Sequence, residues 1–191
     1  MIRWRWLSVP LLLAVVPATT TAAELRDIAV VYEEGIYSVD SEVWFDAPQA
    51  SVYAVFADWD LSTEFSSAIV EARNTGPDAQ GRYGYYVRNR GCILFFCKSV
   101  VRAGTVEMTP DSKLTASADP EQSDFDVSDE QWLFHSEDGR TVVHYSLKMK
   151  PGFWVPPVIG PYLIKRKLRD DGSDALERIE RIAQRQVASG D

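Results

Sequence analysis

Few residues of the types that act in catalysis or metal binding occur close together in this 191-residue chain. The two histidines, His135 and His144, fall on neighbouring strands of a predicted hairpin, where alternation places both on the outward face. The acidic segment from Asp119 to Glu130 lacks the spacing of a calcium-binding loop, which favours a solvated loop and strand face. No nucleotide-binding, hydrolase or zinc-protease motif is present. The sequence therefore predicts no metal site, no cofactor and no catalytic residue, which argues against an enzyme without deciding the question.

The chain has two cysteines, Cys92 and Cys97, separated by four residues. This spacing matches no redox motif, and two isolated thiols cannot close a zinc site. In an exported protein a local disulfide is the better interpretation. It would close a very short loop, so it would fix the shape of that loop more than it would stabilise the fold. A free, buried pair of thiols is the alternative.

The first 23 residues have the parts of a secretory signal peptide. Arg3 and Arg5 give a positive start, and the apolar run of residues 7–16 is far shorter than the roughly 20 residues that span a bilayer. Thr21-Ala22-Ala23 supplies the small residues of a cleavage site. We therefore expect residues 1–23 to be removed and the protein to work in the periplasm of a bacterial cell envelope. An uncleaved anchor is the alternative.

The remaining residues, 24–191, are enough for one domain with a sizeable core and too few for two. Removal of the two leader arginines changes the net charge from −8 to −10. An acidic chain is a poor match for polyanions, so we expect no nucleic-acid partner. We also expect a monomer.

Periodicity predicts the elements that position these residues. Residues 24–34 show no strong period, and alternation then predicts a first strand over residues 37–45. Two short helices follow, over residues 50–57 and 61–67, and about six antiparallel strands run on to Lys150. A sheet with its helices on one face makes an α+β domain. Strong curvature in such a sheet tends to leave a hollow beneath a covering helix.

A long helix closes the chain. Its apolar residues recur at three-, four- or eight-residue steps and share one stripe, whereas Glu177 and Glu180 are assigned to the opposite, charged face. Gly172 interrupts the stripe, and we expect the helix to bend there or to end and restart. The stripe consists of Ile164, Leu168, Leu176, Ile179 and Ala183.

Three landmarks connect these elements to a known family. Residues 43–58 (VWFDAPQASVYAVFAD) join a strand to a helix that ends in Asp, QWL at 131–133 precedes GRTVVHY at 139–145, and PGFWVPP leads into the long helix. In this order they resemble the START-like helix-grip superfamily, which includes polyketide cyclase/dehydrase-like, coenzyme Q-binding and pollen-allergen proteins. The resemblance implies a curved antiparallel sheet of six to seven strands around the C-terminal helix, with a hydrophobic cavity between them.

The resemblance also implies that three loops, 91–97, 119–124 and 150–158, lie together at the mouth of that cavity. Two of them are unusually apolar, and exposed apolar surface usually marks a binding face. We expect this end to contact a membrane or a hydrophobic partner, with a Cys92–Cys97 bridge holding the tip. The alternative is that the apolar residues fold inward and plug the cavity. The residues concerned are Phe95, Phe96, Phe153 and Trp154.

Side chains along the predicted inner face suit a lipid, quinone or polycyclic ligand, because aromatic walls with a few hydroxyl groups bind such molecules. An ordinary filled core is the alternative for any one of them. The candidates are Tyr83, Tyr85, Val87, Trp132, Phe134, Val143, Tyr145 and Leu147 on strands, with Ile164 and Leu168 on the helix.

The interpretation that we favour is a periplasmic binding or carrier protein for a hydrophobic small molecule, driven by apolar burial. One alternative is an enzyme of the polyketide cyclase/dehydrase type, in which Tyr, Asp or His would supply protons. The other is a module that binds a second envelope protein.

Overall fold

A computed structural model describes residues 23–93, 96–155 and 160–189. Within these ranges only the backbone is described at 92–93, 96, 160–161, 163–165, 167–173 and 189. The predicted leader up to residue 22 and the predicted mouth residue Phe95 lie outside the described residues. The side chains of Phe96, Ile164 and Leu168 do so as well, and their predicted roles stay predictions.

The described residues form eight strands in one antiparallel sheet, with the order β1-β2-β8-β7-β6-β5-β4-β3. The α+β class and the curved antiparallel sheet are therefore confirmed, with more strands than the six to seven expected. The strands are β1 (Glu24–Glu33), β2 (Ile36–Phe45), β3 (Ile69–Thr75), β4 (Gly84–Ile93), β5 (Phe96–Thr109), β6 (Lys113–Ala118), β7 (Phe125–Glu137) and β8 (Arg140–Pro151).

Helices lie between β2 and β3 and after β8. Helix α1 (Gln49–Ala57) follows β2, and a 3₁₀ turn (Trp59–Leu61) leads into the short α2 (Ser62–Phe65). Asp58 separates α1 from the turn, and its side chain accepts a hydrogen bond from the Asp60 backbone N–H. Helix α3 (Gly160–Ser189) closes the fold. It is continuous through Gly172, so the expectation that it ends and restarts there is wrong, whereas a bend there stays a prediction. One glycine costs an α-helix only about 1 kcal/mol, which tertiary packing readily offsets.

Strand β1 is the eighth strand, which the sequence did not reveal. It pairs along its whole length with β2, but its register shifts between Leu25 and Asp27. A bulge of this kind moves side chains to the other face and destroys the two-residue period. Leu25, Ile28 and Val30 therefore face the core without alternating regularly, which is why residues 24–34 show no strong period in the sequence.

The described residues of the predicted loop from Gly91 to Cys97 belong to strands. Strand β4 continues to Ile93 and β5 starts at Phe96, so these two apolar residues extend the two strands. The register places Cys92 directly opposite Cys97, which is the arrangement that a cross-strand disulfide needs. The disulfide itself stays a prediction.

The acidic loop after β6 completes the edge of a neighbouring strand. Because β6 is shorter than β5, it leaves backbone groups near the start of β5 without a strand partner. The Val101 N–H donates to Asp124 Oδ2 at 2.7 Å, and Ser123 Oγ bonds to both the N–H and the carbonyl of Ala103 at 3.0 Å. Gly152 N–H donates to the Asp124 carbonyl at 2.9 Å. The loops 119–124 and 150–155 are thus held together, as the resemblance implied.

Two apolar clusters fill the concave side of the sheet. The larger lies under α1 and α3 and includes Phe45, Trp59 and Ile179. The smaller lies at the other end of the sheet, around Tyr37 and Phe125.

Candidate functional site

A cavity of about 170 Å³ lies between the concave face of the sheet and the helices. Strands β1, β2 and β8 form most of its wall, and Phe56 of α1 and Leu176 of α3 close it. Ser41 and Tyr145 supply hydroxyl groups to a lining that is otherwise hydrocarbon and aromatic. The lining residues are Leu25, Ile28, Val39, Ser41, Val43, Phe45, Phe56, Trp132, Val143, Tyr145, Leu147 and Leu176.

Four of the predicted binding residues lie on this wall: Trp132, Val143, Tyr145 and Leu147. They alternate on β7 and β8 with side chains that face the outer surface, which is why the two-residue period located them. Whether they contact a ligand stays a prediction.

Three other candidates belong to the filled part of the interior. Tyr85 is buried and stacks on Trp59, with ring centroids 4.4 Å apart. Phe134 packs edge-on against Tyr53 at 5.3 Å, beneath α1, and Val87 is fully buried in the same cluster. For these residues the alternative of an ordinary core describes the structure better than cavity lining.

Tyr83 does not line the cavity, and the prediction that it does is wrong. Its side chain is 55% exposed, because the residue comes before the first residue of β4. The alternation that holds within a strand therefore does not reach it.

The interior also holds an ion pair that the sequence did not predict. Arg102 of β5 pairs with Glu130 of β7 on the concave side, where the Glu130 side chain is only 4% exposed. This overturns the prediction that Glu130 is solvated. Glu130 also stands directly across from the cavity residue Leu147, so the ion pair borders the cavity.

Charge and burial at this border act on two tyrosines. Burial raises the pKa of Tyr145 to about 12, although the charge of Arg102 lowers it in part. Burial also raises the pKa of Tyr85, again opposed by Arg102. The Tyr85 hydroxyl, Arg102 Nε and Ser128 Oγ are buried without a hydrogen-bond partner among the described residues. Buried polar atoms of this kind usually find a partner, so this border is a place where a polar group could bind.

The predicted mouth residues divide between the two alternatives. The ring of Phe153 packs edge-on against Phe125 at 6.0 Å, and the ammonium group of Lys98 lies 3.5 Å from the centre of the Phe153 ring. Phe153 therefore folds inward. Trp154, the next residue, is 79% exposed.

The histidines lie on the convex face, away from the cavity. The rings of His135 and His144 stack in parallel, with centroids 5.3 Å apart. Each lies near a glutamate, His135 beside Glu137 and His144 beside Glu42. No group of three or more His, Cys, Asp or Glu side chains suited to a metal ion occurs among the described residues.

The sequence contained signals for the residues that were missed. Val39, Ser41, Val43 and Phe45 occupy every second position of the predicted first strand, and the face that they share forms a cavity wall. Arg102 lies two residues after Val100 and four before Val106 on the same strand, so it shares their inward face. A buried cation could therefore have been inferred. The wall residues of β1 could not, because the bulge hides their period.

No helix in the described part of the chain is both long and apolar enough to cross a membrane.

The sequence matches no protein-family model and no curated protein sequence. The structure is similar to solved structures of low sequence identity. A START superfamily protein from Mycobacterium smegmatis has 16% identity and a TM-score of 0.58, over 76% of this chain and 98% of the other. An aromatase/cyclase from a Streptomyces species has 13% identity and a TM-score of 0.61, over 80% and 96%.

A third similar structure is a STAR-related lipid transfer protein from Xanthomonas axonopodis. It has 15% identity and a TM-score of 0.59, over 82% of this chain and 98% of the other. Identities this low carry information about the fold alone, and the predicted helix-grip fold is confirmed.

Proposed function

We propose that this START-like helix-grip domain is an exported binding or carrier protein for a hydrophobic small molecule, with a lipid-, isoprenoid- or quinone-like group. The observation that carries the proposal is the apolar cavity between β1, β2, β8 and α3. An apolar group that enters it leaves water, which favours binding in proportion to the area that is buried.

The volume of the cavity limits what enters it. At about 170 Å³ it is smaller than the roughly 300 Å³ at which pockets for drug-sized ligands begin. It is close to the ~150 Å³ of an engineered apolar cavity that takes up benzene. We therefore expect it to hold one ring or a short branched chain, and not a whole phospholipid.

The border formed by Tyr145, Arg102 and Glu130 suits the polar end of such a ligand. The Tyr145 hydroxyl lies in the lining, and Arg102 is close enough to lower the pKa of Tyr145. A hydroxyl or carbonyl group placed here could bond to side-chain atoms that have no partner among the described residues. A quinone or a prenyl alcohol has this combination of groups.

An enzyme of the cyclase type is less well supported. A general acid or base works best when its pKa lies near the working pH. Burial moves the pKa of Tyr145 to about 12 and raises that of Tyr85, away from neutrality. The histidines lie on the opposite face of the sheet and cannot serve the cavity. The third alternative, a protein-binding module, has no particular residue in its favour.

A pair of serine variants tests the cavity directly. Ser41 lines the cavity, whereas Ser38 of the same strand faces the convex side. We expect Ser41→Phe to fill the cavity and to weaken binding of the single-ring probe toluene, measured by isothermal titration calorimetry, at least tenfold. Ser38→Phe should leave the affinity for the probe unchanged. Equal affinities in both variants, or no binding by the parent protein, would contradict the proposal.

The natural ligand can be sought by native mass spectrometry of the exported protein, followed by organic extraction. A defined apolar mass that is released on denaturation would support the carrier function and identify the ligand class. A protein mass with nothing bound would favour the enzyme or the protein-binding module.

A further inference from the structure

Glu180 is a buried carboxylate in the second half of α3. Its side chain is 4% exposed and lies among Ile179, Ile182 and Ala183 of the apolar core. The sequence assigned it to the solvent-exposed face, which is wrong. A carboxylate at such a site is strongly unfavourable unless a positive charge or several hydrogen bonds compensate it.

The compensation within the described residues is incomplete. Gln184 Nε2 donates to Glu180 Oε1 at 3.1 Å, but Oε2 has no hydrogen-bond partner there. Burial raises the pKa of the Glu180 carboxyl, and the negative charge of Asp46 raises it further. The backbone N–H groups of Asp46 and Ala23 and the positive charge of Arg140 act in the opposite direction.

Two of the three guanidinium nitrogens of Arg140 are engaged elsewhere, and its buried Nε has no hydrogen-bond partner among the described residues. Its Nη1 lies 3.4 Å from Glu24 Oε2, and its Nη2 donates to the Trp44 carbonyl at 3.4 Å. Arg140 therefore divides its charge between two carboxylates. Because Asp46 adds a further negative charge beside Glu180, a second positive charge at this site would be favourable.

Ala23 is the described residue that could supply this charge. Its backbone N–H is close enough to lower the pKa of the Glu180 carboxyl, and the residue packs against the apolar core that contains Ile179, Ile182 and Ala183. In an intact chain that N–H is a neutral amide. If the chain began at Ala23, the same nitrogen would be an ammonium group.

The leader allows this start as readily as the one expected from the sequence. Cleavage after Ala23 has Thr21 and Ala23 at the two positions that require small residues. Cleavage after Ala22 has Thr20 and Ala22 there, which are equally small. The sequence alone does not choose between them.

We propose that the leader is cleaved after Ala22 and that the new α-ammonium group of Ala23 forms a buried ion pair with Glu180. A start at Glu24 would remove the Ala23 nitrogen and leave the carboxylate with fewer donors. In this proposal Ala22–Ala23 is the cleavage site, and the buried ion pair can form only after the leader is removed. It is independent of the nature of the ligand.

The first measurement is the N-terminal residue of the protein after export from a bacterial host with its own leader. Intact mass and N-terminal sequencing should give Ala23. A mature chain that begins at Glu24, or one that keeps the leader, would overturn the proposal.

The second measurement is the pKa of the α-amino group, which is obtained from the pH dependence of its acylation rate. Next to a carboxylate it should lie above the ordinary range of about 7.7–8.0. Glu180→Gln should return it to that range, because Gln keeps the shape and removes the charge. Glu177→Gln, one turn earlier and exposed, should leave it raised. An ordinary pKa in the parent protein would overturn the ion pair.

The third measurement is thermal stability with a free and with an acetylated N-terminus. Acetylation removes the charge of the amine and should lower the Tm of the parent protein by about 3 °C or more. In Glu180→Gln it should have no effect, since the partner charge is already absent. An equal fall in both proteins would show that acetylation acts without Glu180, contrary to the proposal.

Discussion

Arg102 and Glu130 form an ion pair across the end of the short strand β6, beside the wall of the cavity. Both side chains are largely removed from water, so each charge depends on the other. The pair therefore differs from the surface ion pairs of this protein, in which water screens both charges.

Loss of one partner of this pair should destabilise the protein strongly. We expect Arg102→Met to lower the free energy of unfolding by about 3–5 kcal/mol, because it leaves a buried carboxylate without a counter-charge. Arg73→Met is the matched control, since its exposed pair with Glu71 should contribute at most about 1 kcal/mol. Urea denaturation measures both.

The double variant Arg102→Met/Glu130→Met tests the physical reason. Replacing both charges by apolar groups should recover much of the stability that the single variant loses. A double variant that is less stable than the single variant would show that Glu130 does not need Arg102.

The sequence predicted the part of the sheet in which alternation is regular. Strands β2 and β8, and β7 from Ser128 onward, alternate regularly between inward and outward side chains, so the inward residues Trp132, Val143 and Tyr145 could be identified. A period reveals which face a residue occupies, but not whether that face meets a helix or a cavity. Phe134 and Tyr145 share the inward orientation, and only packing against Tyr53 distinguishes the buried Phe134 from the cavity wall.

Glu180 illustrates a second limit. It follows Leu176 by four residues and precedes Ala183 by three, so the helical period places it on the apolar stripe. Its charge nonetheless suggested the solvent face. The segment that helps to cover it includes Ala23 and the start of β1, whose strand the bulge had concealed, so one missed element led to a second wrong assignment.

Two buried tyrosines should lose their phenolic protons at a higher pH than ordinary tyrosines do. Burial raises the pKa of Tyr37 and of Tyr145 to about 12, whereas tyrosines of the unfolded chain titrate near 10. In an absorbance titration of phenolate, Tyr37→Phe and Tyr145→Phe should each remove one late-titrating group. A variant that loses amplitude near pH 10 instead would contradict the assignment for that residue.

The same tyrosines predict how stability depends on pH. The folded protein holds their protons more tightly than the unfolded chain does, so the unfolded chain binds fewer protons between pH 10 and 12. The free energy of unfolding should therefore fall as the pH rises through this range. The fall should be smaller in the double variant Tyr37→Phe/Tyr145→Phe, and an equal fall would show that other groups cause it.

Gly104 should tolerate no side chain. A Cβ atom there would overlap the Ser117 carbonyl oxygen, and it would lie 2.7 Å from Ala118 Cα, on the backbone of β6. Backbone in a paired strand cannot move aside cheaply, so we expect Gly104→Ala to cost about 1–3 kcal/mol or more. Gly76→Ala is the control, because a Cβ there meets nothing within 4 Å. Equal unfolding midpoints in denaturant would refute the close approach.

Trp154 is the residue on which we base a prediction of membrane contact. It is 79% exposed, whereas its neighbour Phe153 is held inward by Phe125 and Lys98. An exposed tryptophan on a fixed support can enter the membrane–water interface without a large loss of conformational freedom. We expect the mature protein to float with liposomes of zwitterionic lipid, and Trp154→Ser to weaken this binding about tenfold.

Tyr83→Ser is the matched control for this prediction, because Tyr83 is also an exposed aromatic residue but lies just before β4. It should leave flotation unchanged if binding is localised at Trp154. Phe153→Ser should lower stability as well, since it removes the contact with Phe125. Equal flotation of the parent protein and of Trp154→Ser would exclude Trp154 as the contact. If the parent protein does not float either, its exposed apolar surface does not bind membranes and has another function, such as gating the cavity.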